Sequence, residues 1–160
     1  MADIDHMDIF QAVRTRIRDK RLSGIASENV KIGVLDMEDV NCFPGPPGVL
    51  LTPTGAEQFN PLEGTNRTDK VGYPVGCVVS QTYNISKSTE EIVNQMLTWR
   101  RQIRDQLSHR REELVAAGAP STTYDIDWVP GRIFLAGEWK KRNLWASAMS
   151  FIVWNWELRT

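Results

Sequence analysis

The side chains that could carry acid–base or metal chemistry are few and scattered in this sequence. The chain has two histidines, His6 and His109, and each falls in a segment with helical spacing. Neither has a second histidine or a cysteine at the spacing of a metal site. They are also the only candidates for the base of a Ser–His–Asp triad, and neither lies on a loop at the end of a strand. We therefore predict a solvent-exposed helical position for both histidines and no enzymatic activity.

Paired carboxylates are the other possible source of chemistry. Asp125 and Asp127 alternate along a predicted strand and therefore share one face of it. That spacing permits a shared cation, although solvent-exposed strand carboxylates are the ordinary alternative. No glycine-rich nucleotide motif follows a strand, and the segment 45–48 is too rich in proline to present a run of N–H groups to a phosphate. We predict no cofactor and no metal.

The basic residues form two groups on predicted helices. The net charge is −1, which argues against a protein whose main function is to wrap nucleic acid, since such proteins usually carry a basic excess. Solvated helix faces are one interpretation of these groups, a protein interface formed by arginine forks is a second, and a surface along which DNA passes is a third. Because acidic residues flank the second group, subunit pairing suits it better than sequence recognition. The interface candidates are Arg100, Arg101 and Arg104, and the candidates for a DNA-facing surface are Arg14, Arg18 and Arg21.

The chain contains six tryptophans, more than a single core needs. Trp99 continues the apolar stripe of a helix and is expected in the core. Trp154 and Trp156 share one face of the last strand, and Trp139 precedes a basic loop. Since tryptophan is favoured where proteins meet, we predict that at least one of Trp139, Trp154 and Trp156 packs into a partner subunit.

The spacing of apolar residues predicts an α+β fold, with a mostly antiparallel sheet of about four to five strands against an N-terminal helix and one long helix. A single domain is expected over 1–160, with a long loop at 53–70 as a possible assembly arm. The predicted helices are 5–22 and 89–116, the second about 40 Å long, and the predicted strands are 30–35, 49–52, 71–83, 122–129 and 143–157.

Three local features refine this prediction of the fold: two single residues and the last strand. Gly24 is expected to end the first helix. Pro74 cannot donate to a strand ladder, so we expect a sheet edge or a bulge there. The last strand is apolar on both faces, which predicts a cover on both: helices on one side and something else on the other.

Cys42 and Cys77 are expected to be reduced. No segment is apolar enough to span a membrane, and the polar N-terminus predicts assembly in a cytoplasm.

The order of these segments resembles the tail terminator (tail completion) proteins of long-tailed bacteriophages. The resemblance rests on the N-terminal helix, on Pro47-Gly-Val-Leu-Leu-Thr-Pro53 before a variable loop, and on Asp69-Lys-Val-Gly-Tyr-Pro-Val75 after it. A helix that crosses the sheet and closing strands complete the pattern. The proline-rich loop at 43–48 and the tryptophan-rich last strand depart from it.

The resemblance implies a structural virion protein of the neck or tail. Subunits would form a ring, usually a hexamer, that caps the head-proximal end of the tail tube and stops its polymerisation. Its partners would be the tail tube protein, the head-completion or connector protein, and genome DNA, which passes through the ring without sequence readout. No membrane would be a partner. The loop residues that would reach these partners are Phe43, Pro44, Pro46, Pro47, Phe59 and Arg67.

Two other functions stay open. Within the same class, the chain could be a head-side neck connector or stopper. In a different class, it could be a non-viral nucleic-acid-binding α/β module that uses its two arginine groups. Steep loss of DNA affinity with salt would mark the second.

Overall fold

The computed structural model describes residues 5–35, 43–60, 68–82, 86–135, 138 and 144–158. Three helices lie in this part of the chain: α1 (His6–Lys20), α2 (Thr89–Leu107) and α3 (Arg111–Ala116). The strands are β1 (Val30–Ile32), β2 (Gly48–Thr52), β3 (Gln58–Asn60), β4 (Thr68–Thr82), β5 (Thr123–Pro130) and β6 (Leu144–Leu158). Trp139, Arg67 and Cys42 lie outside the described residues.

The strands form one six-stranded sheet in the order β1-β2-β4-β6-β5, with β3 paired to the first part of β4. β1 and β2 are parallel, and the other pairs are antiparallel. The predicted α+β class with a mostly antiparallel sheet is therefore confirmed. One strand more than expected is present, because the segment predicted as a loop at 53–70 contains β3 and the start of β4. Residues 61–67 of that segment lie outside the described part.

The long pair β4–β6 is the backbone of the sheet. All fifteen residues of β4 lie opposite a residue of β6, from Thr68 against Leu158 to Thr82 against Leu144. Pro74 was expected at an edge or bulge, yet it lies inside this ladder, opposite Ile152. On its other side it falls between the residues that pair with β3 and those that pair with β2. Among the described strands, none lies opposite Pro74 on that side, and its carbonyl accepts a hydrogen bond from His6 Nε2 at 3.2 Å.

Helix α1 begins at a side-chain cap and buries one stripe. The Asp5 carboxylate accepts a hydrogen bond from the Met7 N–H at 2.8 Å, which satisfies one of the free donors of the first turn. The helix ends at Lys20, before the expected Gly24, because Arg21 leaves helical geometry with φ +48°. The buried residues keep helical spacing: Ile9, Phe10, Ala12, Val13 and Ile17.

The second predicted helix is interrupted, which corrects the expectation of one 40 Å element over 89–116. The predicted start is confirmed, since Ser88 Oγ caps the N–H of Glu91. However, α2 ends at Leu107 after 19 residues, about 28 Å. His109 adopts φ +57° and its N–H bonds Ile126 O on β5 at 3.0 Å. The turn that pairs with β5 therefore interrupts the predicted helix, and the next helix, α3, begins at Arg111.

In the described part of the chain, the helices cover one face of the sheet, and the other face carries less cover. The main core lies between α1, α2 and the sheet and includes Trp99, Phe151 and Val153, each almost fully buried. On the opposite face a small second cluster covers one end of the sheet and is built from Phe43, Leu50, Val78, Leu144 and Ala146. We call this opposite side the open face. Among the described residues, the expected second cover on β6 is present at that end.

The first strand is shorter than expected. β1 ends at Ile32. Val34, which lies in the predicted strand 30–35, is outside it and 70% exposed. Among the described helices, none is both long and apolar enough to cross a membrane.

Candidate subunit interface

An aromatic cluster lies on the open face, where β4, β5 and β6 are adjacent. We define it as Lys70, Tyr124, Trp154 and Trp156. Strand pairing brings it together: Lys70 lies opposite Trp156, and a bulge in β5 between Thr123 and Asp125 adds Tyr124 beside them. Residues directly opposite one another in a ladder share a face, so the cluster follows from the register of the sheet.

The contacts inside the aromatic cluster are close and varied. The rings of Tyr124 and Trp156 are stacked with their centres 4.8 Å apart. The Lys70 ammonium lies 4.7 Å from the centre of the Trp154 ring and 5.2 Å from that of Tyr124, within the range of a cation–π contact. Trp154 Nε1 donates to Asp127 Oδ2 at 2.9 Å. These contacts fix the rings as a preformed platform.

Gly72 determines where the Trp154 ring can lie. Gly72 is opposite Trp154 in the ladder. A Cβ on Gly72 would lie 2.8 Å from the Trp154 ring and 2.6 Å from Ile152 Cγ2, distances that side chains do not tolerate. The missing side chain therefore lets Trp154 pack flat along β4.

All four members of the aromatic cluster are half-buried. Their apolar rings reach solvent on the side of the sheet that faces away from α1, α2 and α3. Tryptophan and tyrosine combine a large apolar surface with a polar atom, which suits a protein–protein contact. The structure thus gives Trp154 and Trp156, two of the predicted interface residues, a surface compatible with a partner.

Arg100 lies elsewhere than the sequence prediction suggests. It is 8% exposed, and its guanidinium donates inside the chain to Ser147 Oγ at 2.8 Å and to Gly131 O at 3.0 Å. It also contacts the carbonyls of Arg132 and Ala148. Burial lowers the pKa of Arg100 from its usual value. Its donors hold the connection between β5 and β6 in place, so Arg100 is not available to a neighbouring subunit.

The other two arginines of this group differ from Arg100. Arg101 is exposed. Arg104 lies over the Trp128 ring at 5.3 Å and 3.5 Å from an Asp105 carboxylate oxygen. Trp128 is opposite Phe151 and so faces the helices. Arg101 and Arg104 therefore belong to the helix side, and the structure does not bring them together with Trp154 and Trp156.

The residues of the proline-rich loop are mostly internal. Phe43 is 5% exposed and belongs to the second cluster, and Pro44 is also buried. Pro46 and Pro47, joined by a cis peptide bond, are half-buried. Phe43 and Pro44 therefore cover this chain's own sheet instead of reaching a partner. Phe59 on β3 is 56% exposed and stays a candidate.

The arginines predicted to face DNA separate as well. Arg18 donates through Nε and Nη2 to Val30 O, at 3.1 and 2.6 Å, so it ties α1 to β1. Arg14 is half-buried and Arg21 is exposed. Arg21 lines an open cleft of about 530 Å³ between α1, α2 and α3, which also holds Arg16, Lys20, Gln102, Asp105, Gln106, Arg110 and Glu113.

The sequence analysis missed Lys70 and Tyr124 and expected a different environment for His109. Lys70 and Tyr124 could be placed only once the pairing of β4 with β6 and the bulge in β5 were known. His109, expected on a helix, lies in the turn after α2 with Nδ1 2.9 Å from Asp125 Oδ1. That carboxylate raises the pKa of His109 through a hydrogen bond and through its charge.

The buried thiol of Cys77 is free, as the sequence predicted, and burial raises its pKa to about 12.

Comparison with known protein families found no family model that matches the chain, and comparison with curated proteins found no match either.

Proposed function

We propose that this protein is a structural subunit of a closed ring and acts as the tail terminator of a long-tailed bacteriophage. The carrying observation is the half-buried aromatic cluster on the open face of the sheet. The likeness in segment order to tail terminators, described above, supplies the specific role. In that role about six copies cap the head-proximal end of the tail tube and join it to the head-completion proteins.

The open face supports assembly on physical grounds. A sheet that is apolar on both faces is stable in water only when both faces are covered. Here the helices cover one face, while the residues that the structure describes cover the other face at one end, with the second cluster. Aromatic side chains bury about 150–250 Å² each, so a neighbour that covers Trp154, Trp156 and Tyr124 gains a large apolar contact.

A ring also determines the type of contact. Closed rings form through head-to-tail interfaces, in which two different surfaces of each subunit meet. The open face would be one surface, and a part of the helix side, where Arg101 is exposed, would be the other. The exposed Phe59 on β3 lies opposite Val71, which packs against the main core, so it belongs to the helix side and could contribute to that second surface. Genome DNA would pass through the lumen without base readout.

The first experiment measures the oligomeric state by native mass spectrometry at micromolar concentration and physiological salt. We expect a closed oligomer for the wild-type chain and monomers for Ser150→Arg, since Ser150 lies opposite Gly76 and Val129 on the open face. Ser121→Arg is the matched control, because Ser121 is exposed in the turn before β5. A monodisperse wild-type monomer would count against the proposal.

The second experiment separates the terminator from a head-side connector. Purified rings are mixed with tail tubes that lack a terminator and are imaged by negative-stain electron microscopy. We expect rings on one end of the tubes and no further tube growth. Rings that bind purified portal–head complexes and ignore tubes would assign the chain to the connector class instead.

The open cleft between the helices favours a second candidate, a nucleic-acid-binding module. Arg16, Lys20, Arg21 and Arg110 contribute four positive charges, and Asp105 and Glu113 offset two of them. Retention of duplex DNA at low salt that is lost in Lys20→Glu and falls steeply with salt would support this function. Absence of retention at low salt would remove it.

A further inference from the structure

His109, Asp125 and Asp127 lie together at the free edge of β5, outside the aromatic cluster. One donor atom from each, the imidazole nitrogen and a carboxylate oxygen from each aspartate, lies within 4.8 Å of the other two. We propose that these three residues bind a zinc ion or a closely similar divalent transition metal. The site connects the turn between α2 and α3 to the edge strand.

The distances are compatible with a shared ion after small side-chain movements. Zinc binds imidazole nitrogen and carboxylate oxygen at about 2.0–2.2 Å, so two of its ligand atoms lie about 3–3.5 Å apart. His109 Nδ1 and Asp125 Oδ1 are 2.9 Å apart. From a separation of at most 4.8 Å, the Asp127 carboxylate has to approach by up to about 1–2 Å, which rotation about its side-chain bonds supplies.

The backbone around His109 holds its imidazole beside the strand. Its N–H donates to Ile126 O at 3.0 Å, and its φ of +57° is a left-handed conformation that residues other than glycine seldom adopt. As a result, the backbone of His109 stays beside β5 and does not continue along the axis of α2. The position of the ligand relative to β5 is determined by the backbone, even though the ring itself is 70% exposed.

Neighbouring donors orient both carboxylates. The Ile126 N–H donates to Asp125 Oδ1 at 2.9 Å, and Trp154 Nε1 donates to Asp127 Oδ2 at 2.9 Å. Asp127 keeps its other carboxylate oxygen for a ligand, whereas the Asp125 oxygen beside His109 is the one that also accepts from Ile126. Such outer hydrogen bonds are common around metal-binding carboxylates and increase metal affinity.

The ligand set indicates which metal would bind. An imidazole favours zinc, copper, nickel or iron over magnesium and calcium, which prefer oxygen ligands alone. Three protein ligands leave at least one position for water or for a group from another molecule. The proposal does not require the ring function, although Asp127 also accepts a hydrogen bond from Trp154 of the aromatic cluster.

Isothermal titration of the full chain with zinc chloride tests the proposal. We expect one equivalent to bind, with an affinity at least about tenfold weaker in His109→Asn and in Asp127→Asn. Asparagine is chosen at 109 because it tolerates the left-handed conformation. Magnesium at millimolar concentration should not compete. Two controls, His6→Gln and Glu112→Gln, remove a histidine and an exposed carboxylate outside the site and should leave the affinity unchanged.

A thermal scan gives a second measurement that a fold defect cannot imitate. At the same zinc concentration, zinc should raise the Tm of the wild-type chain more than that of His109→Asn, because weaker binding stabilises the fold less. Equal zinc affinity in the wild-type chain and His109→Asn, or equal competition by magnesium, would overturn the proposal. A wild-type chain that binds no zinc would overturn it as well.

Discussion

Arg100 illustrates how burial decides the role of a single side chain. The sequence shows Arg100 and Arg101 as equivalent neighbours in a basic segment. In the fold the first is 8% exposed and donates to acceptors from 131, 132, 147 and 148, while the second is exposed. One arginine therefore stabilises the link between β5 and β6, and the other is free to meet solvent or a partner.

Arg100→Met should lower the free energy of unfolding by about 2–4 kcal/mol, because buried carbonyls lose a charged donor. Arg101→Met should change it by less than about 0.5 kcal/mol. Urea titration followed by circular dichroism measures both. Equal stability of the two variants would show that the guanidinium contacts contribute nothing to the fold.

Cys77 makes the stability of the protein depend on alkaline pH. Its pKa is about 12 in the folded state, against 9.0 for an ordinary thiol. Above about pH 9 the unfolded chain therefore binds fewer protons than the folded chain, and stability falls as pH rises, by about 1.4 kcal/mol per pH unit from this group. The contribution is level below pH 9.

Cys77→Ala should remove that alkaline slope while it lowers stability at neutral pH through the lost packing. The measurement is urea unfolding of both proteins at several pH values from neutral to about pH 10.5. Identical pH profiles for the two proteins would contradict the assignment, since the other titrating groups are common to both.

At the scale of elements, local backbone geometry places side chains that propensity alone leaves undefined. The left-handed conformation of His109 ends α2 at Leu107 and brings the turn against β5. The bulge in β5 adds Tyr124 to the open face. Gly72 leaves the space in which the Trp154 ring packs. Each feature involves one residue and determines the arrangement of a whole strand or turn.

Gly72→Ala should destabilise the fold by about 1–3 kcal/mol, because its new Cβ overlaps Ile152 and the Trp154 ring. Gly33→Ala is the control. A Cβ there meets only Leu50 Cδ1 at 3.2 Å, so a smaller effect is expected. Thermal unfolding of both variants gives the comparison, and a smaller loss at position 72 than at 33 would contradict the proposed role of Gly72.

At the scale of the whole molecule, the sheet has two faces in different situations. The helix side is closed by a continuous core, whereas the described residues close the open face near Phe43. Apolar rings at the other end stay half-exposed. A molecule with this asymmetry gains stability when a second surface covers the aromatic cluster, which is the physical basis of the proposed ring.

Assembly should therefore protect tryptophan from solvent. We expect acrylamide to quench the fluorescence of the wild-type oligomer less than that of Ser150→Arg, the variant expected to stay monomeric, because Trp154 and Trp156 become covered in the ring. Denatured samples of both proteins should quench alike, which corrects for differences in concentration. Equal quenching of the folded proteins would place the interface elsewhere.

The sequence by itself determined the α+β class, the start of both long helices and four of the strands near their observed places, because these depend on local apolar periodicity and capping. It also identified Trp154 and Trp156 as candidates for a partner surface. Tertiary structure alone decided that Arg100 is internal, that Phe43 covers its own sheet and that Lys70 and Tyr124 join the tryptophans. These outcomes depend on strand register and on packing between residues far apart in the chain, and a period along the sequence carries no information about either.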